Sequence, residues 1–178
     1  LRVSDTFYDQ QIFKDVRDIN EDFIKDFDIV IALAAVSNDP IGREFEDATY
    51  QINFESTCRL AVMCEKLGVK KFIFASSCSM YGSQSSNPKT EKDLTKPLTA
   101  YAKSKIGVEN QLKEQFFDSK MSLIFLRFST ACGPSDRLRL DLVLNDFVAS
   151  ALKYKEINIL SDGFPWRPLI DTRDISKS

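Results

Sequence analysis

The chain has 178 residues, of which 43% are hydrophobic and 28% charged, with a formal net charge of −2 at pH 7. This composition is typical of a globular domain, and it gives no reason to expect nucleic acid or an anionic membrane as a partner. Histidine is absent, which excludes His-based catalytic triads and leaves tyrosine, lysine, serine and carboxylates for proton chemistry. No apolar run approaches the roughly 18 residues that a membrane-spanning helix needs.

The cysteines favour a cytoplasmic protein with no metal site. The four of them lack the C-x-x-C spacing of a zinc site or redox motif: Cys58, Cys64, Cys78 and Cys132. Scattered thiols of this kind indicate a reducing compartment rather than a disulfide framework. No signal peptide is visible at Leu1.

Apolar runs and helical patterns alternate along the chain. Buried parallel strands are predicted over residues 28–35, 71–75 and 121–128, with a short strand at 157–160. Helices are predicted over residues 44–67, 99–112 and 137–152, the first of them closed by Gly68. This alternation predicts an α/β fold with a doubly wound parallel sheet, which binds ligands at the carboxyl ends of its strands.

One strand and one helix carry the residues with the clearest chemistry. The strand at 71–75 runs into small hydroxyl residues, among them Ser77 and Ser79. The helix at 99–112 carries Tyr101 and Lys105, and a spacing of four residues puts both on one face. Tyrosine titrates near pH 10, and a nearby ammonium favours its phenolate. The pattern therefore predicts a tyrosine base.

These two segments resemble a known family. Serine followed by Tyr-x-x-x-Lys, within the runs FIFASSCSMYG and LTAYAKSK, resembles the extended short-chain dehydrogenases/reductases, which are NAD-dependent nucleotide-sugar epimerases and dehydratases. The resemblance implies a Rossmann-like fold and three catalytic residues. Tyr101 would take the proton of a sugar hydroxyl, Ser77 would hydrogen-bond the reacting oxygen, and Lys105 would hold the cofactor ribose and lower the pKa of the tyrosine.

Further segments resemble the family's cofactor site. Residues 14–18 resemble its Gly-Asp-(Ile/Val)-Arg-Asp segment, which contacts adenine, although a solvated turn is the alternative. An asparagine inside a helix is unfavourable, and the family uses the residue matching Asn53 to hold that helix near the active site; a surface asparagine is the alternative. The resemblance implies these NAD contacts, with NADP left open: Asp15, Val16, Ala34, Ala35, Asn53, Lys105 and Phe128.

A nucleotide sugar is the substrate that the resemblance implies. Arg167 is assigned to the diphosphate, because a guanidinium fork suits phosphate oxygens; a surface salt bridge is the alternative. Thr130 stands where the family carries asparagine, so the contact of that position with the sugar would pass to a hydroxyl. The full set of substrate contacts is Ser79, Thr130, Asn145 and Arg167.

The residues after Ser77 narrow the reaction. The family's 4,6-dehydratases place Asp-Glu at this point, whereas this chain has Cys78 and Ser79. An epimerase resembling UDP-glucose 4-epimerase is therefore favoured. The alternatives are a nucleotide-sugar reductase or dehydratase, and a non-catalytic or truncated relative acting as a binding protein.

The glycine pattern predicts a fragment. None of the six glycines cluster, so the chain contains no glycine-rich phosphate loop. We expect residues 1–178 to be the central part of a single NAD-binding domain, incomplete at both ends and inactive alone. We expect the full-length protein to be a homodimer.

Overall fold

The structure, a computed structural model, describes residues 8–37, 39–82, 87–135, 137–163 and 166–178. The chain forms two compact units. The first comprises Phe13–Gly82 and Lys89–Arg127. The second comprises the described residues of Leu1–Ile12, Ser83–Pro88 and Phe128–Ser178.

The first unit is built on a three-stranded sheet. Its strands are β1 (Ile29–Ala32), β2 (Lys71–Ser77) and β3 (Ser122–Phe128), in the order β1-β2-β3. The last residue of β3 belongs to the second unit. Strands β1 and β2 run parallel, with Ile29 opposite Lys71 and Ala32 opposite Phe74. The predicted α/β fold with parallel strands is confirmed.

The helical region after β1 is broken. The prediction was one helix over 44–67, whereas the structure has α1 (Asp39–Glu44), α2 (Glu46–Tyr50), a π-helical turn (Gln51–Glu55) and α3 (Ser56–Lys66). Between α1 and α2, Phe45 leaves the helical region at φ −124° and ψ 59°. Gly68 ends α3 at φ +77°, as predicted. The next helix, α4, spans Ala100–Gln115.

The core of the first unit lies where β2 meets helices α3 and α4. Side chains of β2 alternate, so that Phe72 and Phe74 point into this core. Helix α3 contributes Ala61 and Cys64, and α4 contributes Val108, Leu112 and its C-terminal neighbour Phe116. Helix α4 is thereby fixed against the strand that ends at Ser77.

Strand β1 differs from its prediction. A continuous apolar run predicts burial on both faces, but Ile29, Ile31 and Leu33 are 48%, 57% and 65% exposed. These residues alternate along an edge strand of the described sheet, while Val30 and Ala32 pack against the core. The prediction of a fully buried strand is therefore wrong for one face of β1.

The described residues of the second unit form a small parallel sheet and two helices. Strand β4 (Thr130–Cys132) pairs with β5 (Leu169–Asp171), with Thr130 opposite Leu169. Helix α5 (Val143–Tyr154) starts six residues later than predicted, and α6 spans Thr172–Ile175. Residues 157–160, which lie within the described ranges, form no strand. Leu160 there is 99% exposed, so no packing holds that segment extended.

None of the helices in the described part of the chain has the length and apolar character needed to cross a bilayer.

Candidate active site

Strand β2, the central strand of the first sheet, ends in a hydroxyl cluster. Ser77, its last residue, is half-buried and caps a 3-10 turn over Cys78–Tyr81. The Ser77 hydroxyl oxygen accepts hydrogen bonds from the Ser79 backbone N–H at 3.2 Å and from Ser79 Oγ at 2.9 Å. The structure thus brings together Ser77 and Ser79, which the sequence analysis assigned to catalysis and substrate binding.

A glycine lets the following loop close on this turn. Gly82 has φ +75°, and a Cβ there would lie 2.7 Å from the Lys96 carbonyl oxygen. No L side chain can meet both conditions without a shift of the backbone. The loop returns close enough for the Lys96 N–H to donate to the Met80 carbonyl at 2.7 Å. The turn after Ser77 is therefore held by its cap at Ser77 and also by this hydrogen bond from Lys96.

Helix α4 carries Tyr101 and Lys105 one turn apart. The Thr99 hydroxyl caps the helix by accepting from the Ala102 N–H at 3.1 Å. Lys105 is 2% exposed, and its Nζ donates to the Ala75 carbonyl at 2.7 Å. The same Nζ lies 4.6 Å from the centre of the Phe74 ring and 5.4 Å from the centre of the Tyr101 ring.

Burial changes the acidity of this lysine. Removal of the ammonium from water lowers the pKa of Lys105 to about 8. At pH 7 the side chain is still largely protonated, so its positive charge stays between the end of β2 and the Tyr101 ring. Such a charge stabilises a phenolate relative to a phenol. The geometry therefore brings together an ammonium, a tyrosine and a strand end that carries a serine.

The predicted cofactor residue Asn53 lies in the π turn and is fully buried. Its Oδ1 accepts from the Val36 N–H at 2.8 Å, and its Nδ2 donates to the Val36 carbonyl at 3.0 Å. The Asn53 Nδ2 also donates to Ser104 Oγ at 3.2 Å, and Ser104 donates to the Tyr101 carbonyl at 2.7 Å. This side chain links the segment after β1 to the helix of Tyr101 and Lys105.

Two other predicted cofactor residues lie just after β1. Ala34 is exposed and Ala35 half-buried, and both lie beyond Ala32, where the strand ends. They precede Val36, whose backbone Asn53 holds. Small side chains therefore line the backbone at this strand end, which leaves room for a ligand to approach.

Asp15 and Val16 form the start of a 3-10 turn. The Asp15 carboxylate caps this turn and accepts from the Arg17 backbone N–H, Nε and Nη2 at 2.8, 3.0 and 2.9 Å. These hydrogen bonds from Arg17 lower the pKa of Asp15 to about 2. The half-buried Val16 offers its carbonyl to Arg59 Nη2 at 3.4 Å. Asp15 is thus an ionised acceptor on an ordered turn.

The remaining predicted residues belong to β3 and the second unit. Phe128 is the last residue of β3, and Thr130 begins β4, where its N–H donates to the Pro168 carbonyl at 3.0 Å. Arg167, next to Pro168, is exposed. The β4–β5 pairing therefore brings Thr130 close to the segment of Arg167.

The side chain of Asn145, on α5, forms hydrogen bonds with two backbone groups. Its Oδ1 accepts from the Gly133 N–H at 3.4 Å, and its Nδ2 donates to the Arg139 carbonyl at 3.1 Å. The side chain thereby organises the loop between β4 and α5. A contact with a nucleotide at this residue remains a prediction.

The sequence analysis did not single out two charged residues near the site. Glu109 and Arg127 form an ion pair beside Ser76, near the end of β2, with Arg127 Nη2 2.7 Å from Glu109 Oε2. The signal available in the sequence was the spacing of Glu109, four residues after Lys105 and so on the same buried face of α4. Arg127 interrupts a largely apolar strand run one residue before its end, which is a second signal.

A family model and individual relatives match the chain. The model of the NAD dependent epimerase/dehydratase family matches residues 8–177. An Escherichia coli protein, N-acetyl-alpha-D-glucosaminyl-diphospho-ditrans,octacis-undecaprenol 4-epimerase, is 32% identical over 69% of this chain and 38% of its own length. UDP-glucose 4-epimerase of Bacillus subtilis is 28% identical over 70% of this chain and 40% of its own.

Solved structures agree with these matches. UDP-N-acetylglucosamine 4-epimerase from Methanobrevibacter ruminantium, in complex with UDP-N-acetylmuramic acid, is similar with a TM-score of 0.85 and 28% identity, over 93% of this chain and 55% of that one. MoeE5 in complex with UDP-glucose and NAD is similar with a TM-score of 0.81 and 28% identity, over 92% and 55%. The chain thus spans about half or less of the length of the relatives it matches. It belongs to the NAD dependent epimerase/dehydratase family.

Proposed function

We propose that the full-length protein is an NAD-dependent nucleotide-sugar epimerase of the UDP-glucose 4-epimerase type. The observation that carries this proposal is the buried Lys105 ammonium, held 2.7 Å from the Ala75 carbonyl and 5.4 Å from the centre of the Tyr101 ring. The names of the relatives support the same class, since three of those described above are 4-epimerases.

In the proposed mechanism Tyr101 is the base. As phenolate it takes the proton of a sugar hydroxyl, and Ser77 donates a hydrogen bond to the reacting oxygen. To populate phenolate at neutral pH the tyrosine pKa must fall by about 3 units, which corresponds to about 4 kcal/mol. The Lys105 ammonium supplies a good part of this, because it acts from a site that is largely shielded from water. Protonated Tyr101 then returns the proton after the carbon has been reduced again.

The described residues fit NAD at its ribose and adenine ends. Lys105 has three N–H donors, and the bond to Ala75 uses one of them, which leaves donors for ribose hydroxyls. Ala34 and Ala35 leave room at the strand end, and Asp15 offers an acceptor for an adenine amine. NAD, when bound, supplies the acceptor that takes and returns the electron pair at the sugar carbon. Asn53, which is fully buried, would support the cofactor site through its bonds to Val36. Phe128 completes the proposed contacts, and NADP remains an alternative.

The turn after Ser77 supports an epimerase over a 4,6-dehydratase. Elimination of water needs an acid and a base placed beside the sugar. Cys78 and Ser79 stand in the positions that follow Ser77, and the Ser79 hydroxyl donates to Ser77 at 2.9 Å. Neither side chain is a carboxylic acid. A relative from Dictyostelium discoideum is dTDP-D-glucose 4,6-dehydratase, so a dehydratase or reductase remains the second candidate.

We infer a nucleotide sugar as the substrate, with Arg167 on its diphosphate. The exposed guanidinium of Arg167 can bind phosphate oxygens through two parallel N–H bonds. Thr130, whose N–H is bonded to Pro168, offers a hydroxyl beside the same segment. Ser79 and Asn145 are the other proposed contacts.

We infer a cytoplasmic homodimer for the full-length protein. The structure has Cys58, Cys64, Cys78 and Cys132 as reduced thiols, which supports a reducing compartment. Burial raises the pKa of the Cys58 and Cys64 thiols to about 11, which makes them less reactive. A groove of about 530 Å³ between α2, the π turn and α4 supports an interface. It presents stacked rings of Tyr50 and Phe54, whose centres are 4.8 Å apart. Light scattering of the full-length protein tests this inference, and a monomer at micromolar concentration would contradict it.

Two substitutions in the full-length protein test the proposed mechanism. Tyr101→Phe should lower kcat by about 10²- to 10⁴-fold, because it removes only the proton-transferring oxygen. Arg167→Gln should instead raise KM, since a hydrogen bond to a charged group is worth about 1.5–3 kcal/mol. Steady-state kinetics with UDP-glucose and related UDP-sugars separates the two effects.

Tyr154→Phe is the matched control for the tyrosine, because it makes the same chemical change at the exposed end of α5. It should leave kcat unchanged. Wild-type kcat in Tyr101→Phe on every substrate that the protein turns over would refute the mechanism. An unmodified protein with no turnover on such a panel would favour the binding-protein alternative.

A further inference from the structure

Glu109, on helix α4, is a fully buried carboxylate beside Ser76, near the end of β2. Its side chain is 0% exposed, and both of its oxygens accept two hydrogen bonds. Oε1 accepts from Ser76 Oγ at 2.7 Å and from Arg127 Nε at 2.9 Å. Oε2 accepts from Arg127 Nη2 at 2.7 Å and from Lys113 Nζ at 3.0 Å. Burial alone would raise the pKa of Glu109, but the bonds from Arg127, Ser76 and Lys113 outweigh it and lower the pKa.

Arg127 extends this cluster to the turn that follows Ser77. Its Nε and Nη2 form a two-bond fork on Glu109, and its side chain is only 13% exposed. The third nitrogen, Nη1, donates to Tyr81 Oη at 2.5 Å and to the Glu91 carbonyl at 3.3 Å. One guanidinium therefore joins the end of β3, helix α4, the 3-10 turn and the loop beyond it.

The cluster holds both sides of Ser77. On the strand side, Lys105 donates a hydrogen bond to the Ala75 carbonyl, and Glu109 accepts one from the Ser76 hydroxyl. Residues one turn apart on α4 therefore bond two consecutive residues of β2. On the other side, Arg127 bonds Tyr81, the last residue of the turn that Ser77 caps. Ser77 thus sits between two segments that the same ion pair fixes.

Stability alone does not account for a buried ion pair at this place. Removing two charges from water is costly, and well-packed apolar residues of similar volume often stabilise a fold as well or better. What apolar residues cannot do is fix direction, since a two-bond fork with four hydrogen bonds on one carboxylate allows a single arrangement. Such directional control matters where a serine must meet a tyrosine on another element.

We propose that Glu109 and Arg127 are positioning residues, which lock the Ser76–Tyr81 segment to helix α4 and so set Ser77 relative to Tyr101 and Lys105. This inference rests on the proposed function of those three residues. It assigns no contact with substrate or cofactor to Glu109 or Arg127. A misplacement of about 1 Å in a catalytic group can lower a rate by about 10²-fold.

A matched pair of variants of the full-length protein tests the proposal. Ser76→Ala removes the contact of Glu109 with the strand of Ser77, and Lys113→Ala removes a contact of the same carboxylate from the solvent side, where Lys113 is 52% exposed. Ser76→Ala should lower kcat by about tenfold or more with KM within about twofold. Lys113→Ala should leave both constants within about twofold, because Arg127 still bonds both oxygens of Glu109 and Ser76 still bonds Oε1.

Amide hydrogen exchange provides a readout that does not need activity. The Ser79 N–H donates to Ser77 Oγ and the Gly82 N–H to the Ser79 carbonyl. Both amides should exchange faster in Ser76→Ala than in Lys113→Ala or the unmodified protein. Unchanged kcat and unchanged exchange in Ser76→Ala would overturn the positioning role.

The two proposals fail in different ways. Absence of turnover in the unmodified protein sinks the proposed function, while exchange of the Ser79 and Gly82 amides still decides whether Glu109 locks the turn. Normal turnover in the unmodified protein and in Ser76→Ala, together with unchanged exchange, leaves the epimerase proposal intact and removes only the positioning role.

Discussion

At the scale of single residues, the site depends on a cation in an unusual place. Lysine is almost never fully buried without a partner, and Lys105 finds one in a backbone carbonyl rather than a carboxylate. The carbonyl carries no full charge, so the ammonium stays available to stabilise negative charge elsewhere. The neighbour whose negative form it can stabilise is Tyr101, since the centre of that ring lies 5.4 Å from Nζ.

The shifted pKa of Lys105 predicts how stability depends on pH. In the folded chain its pKa is about 8 instead of 10.5. Between these values the unfolded chain binds more protons, so the contribution of Lys105 makes the free energy of unfolding rise with pH from about 8 to 10.5. The total rise is on the order of 3 kcal/mol. Urea unfolding at several pH values should show this rise in the unmodified protein and lose it in Lys105→Met.

Lys103→Met is the control for that experiment, since Lys103 lies exposed on the same helix. It should keep the pH dependence of the unmodified protein. Identical profiles for the unmodified protein and Lys105→Met would mean that burial does not shift this lysine.

Residue-level features were predictable where they follow from spacing. The four-residue interval between Tyr101 and Lys105 gave their common face on a helix, and the structure agrees. The acceptor of Lys105 was not predictable, because Ala75 offers only its backbone carbonyl, which every residue has. The pairing of Glu109 with Arg127 was also missed, because it joins residues 18 apart in sequence that only the packing of α4 on the sheet brings together.

At the scale of elements, the π turn is the feature that the sequence analysis did not predict. Hydrophobic spacing predicted one helix over 44–67, and a single π turn, whose hydrogen bonds span five residues instead of four, leaves the surrounding pattern helical. Tertiary contacts determine where it forms, and here the turn contains Asn53, whose amide holds Val36 and Ser104. An asparagine inside a helical pattern was the one local signal. π turns often occur at functional sites.

Asn53→Leu should therefore destabilise the protein strongly. Leucine has a similar volume but leaves the Val36 N–H and carbonyl without their partner, and each buried unpaired group costs about 1–3 kcal/mol. We expect a loss of about 2 kcal/mol or more in the free energy of unfolding, measured in urea. Gln51→Leu in the same turn changes an exposed amide and should cost less than about 0.5 kcal/mol. Equal losses in both variants would show that Asn53 does not link these segments.

At the scale of the whole molecule, the alternation of strands and helices in the first unit was predictable, whereas the short strands β4 and β5 and the exposure of the sheet were not. Alternating apolar runs gave the parallel α/β fold, because strands and helices differ in period and length. The same runs predicted burial of β1 on both faces, whereas Ile29, Ile31 and Leu33 are exposed. An apolar run shows that a strand can be buried, and only neighbouring elements determine whether it is.

We expect the isolated 178-residue chain to bind NAD weakly, because its glycines form no phosphate-binding loop. Proteins of this fold hold the pyrophosphate on a glycine-rich turn at a helix N-terminus. The six glycines of this chain are spread along it and form no such cluster: Gly42, Gly68, Gly82, Gly107, Gly133 and Gly163. The proposed contacts of Asp15 and Lys105 reach only the adenine and ribose. Calorimetric titration should therefore give a Kd for NAD of about 1 mM or weaker, and micromolar affinity would contradict the prediction.

The full-length protein is the control that gives this result its meaning. If the proposed cofactor is right, it binds NAD far more tightly than the isolated chain does, and Asp15→Ala weakens that binding because the adenine amine loses its acceptor. Weak binding by both proteins would instead refute NAD as the cofactor. Circular dichroism of the isolated chain must show a folded α/β domain, because an unfolded chain would also bind weakly. With folding established, the difference between the two affinities measures the contribution of the pyrophosphate site.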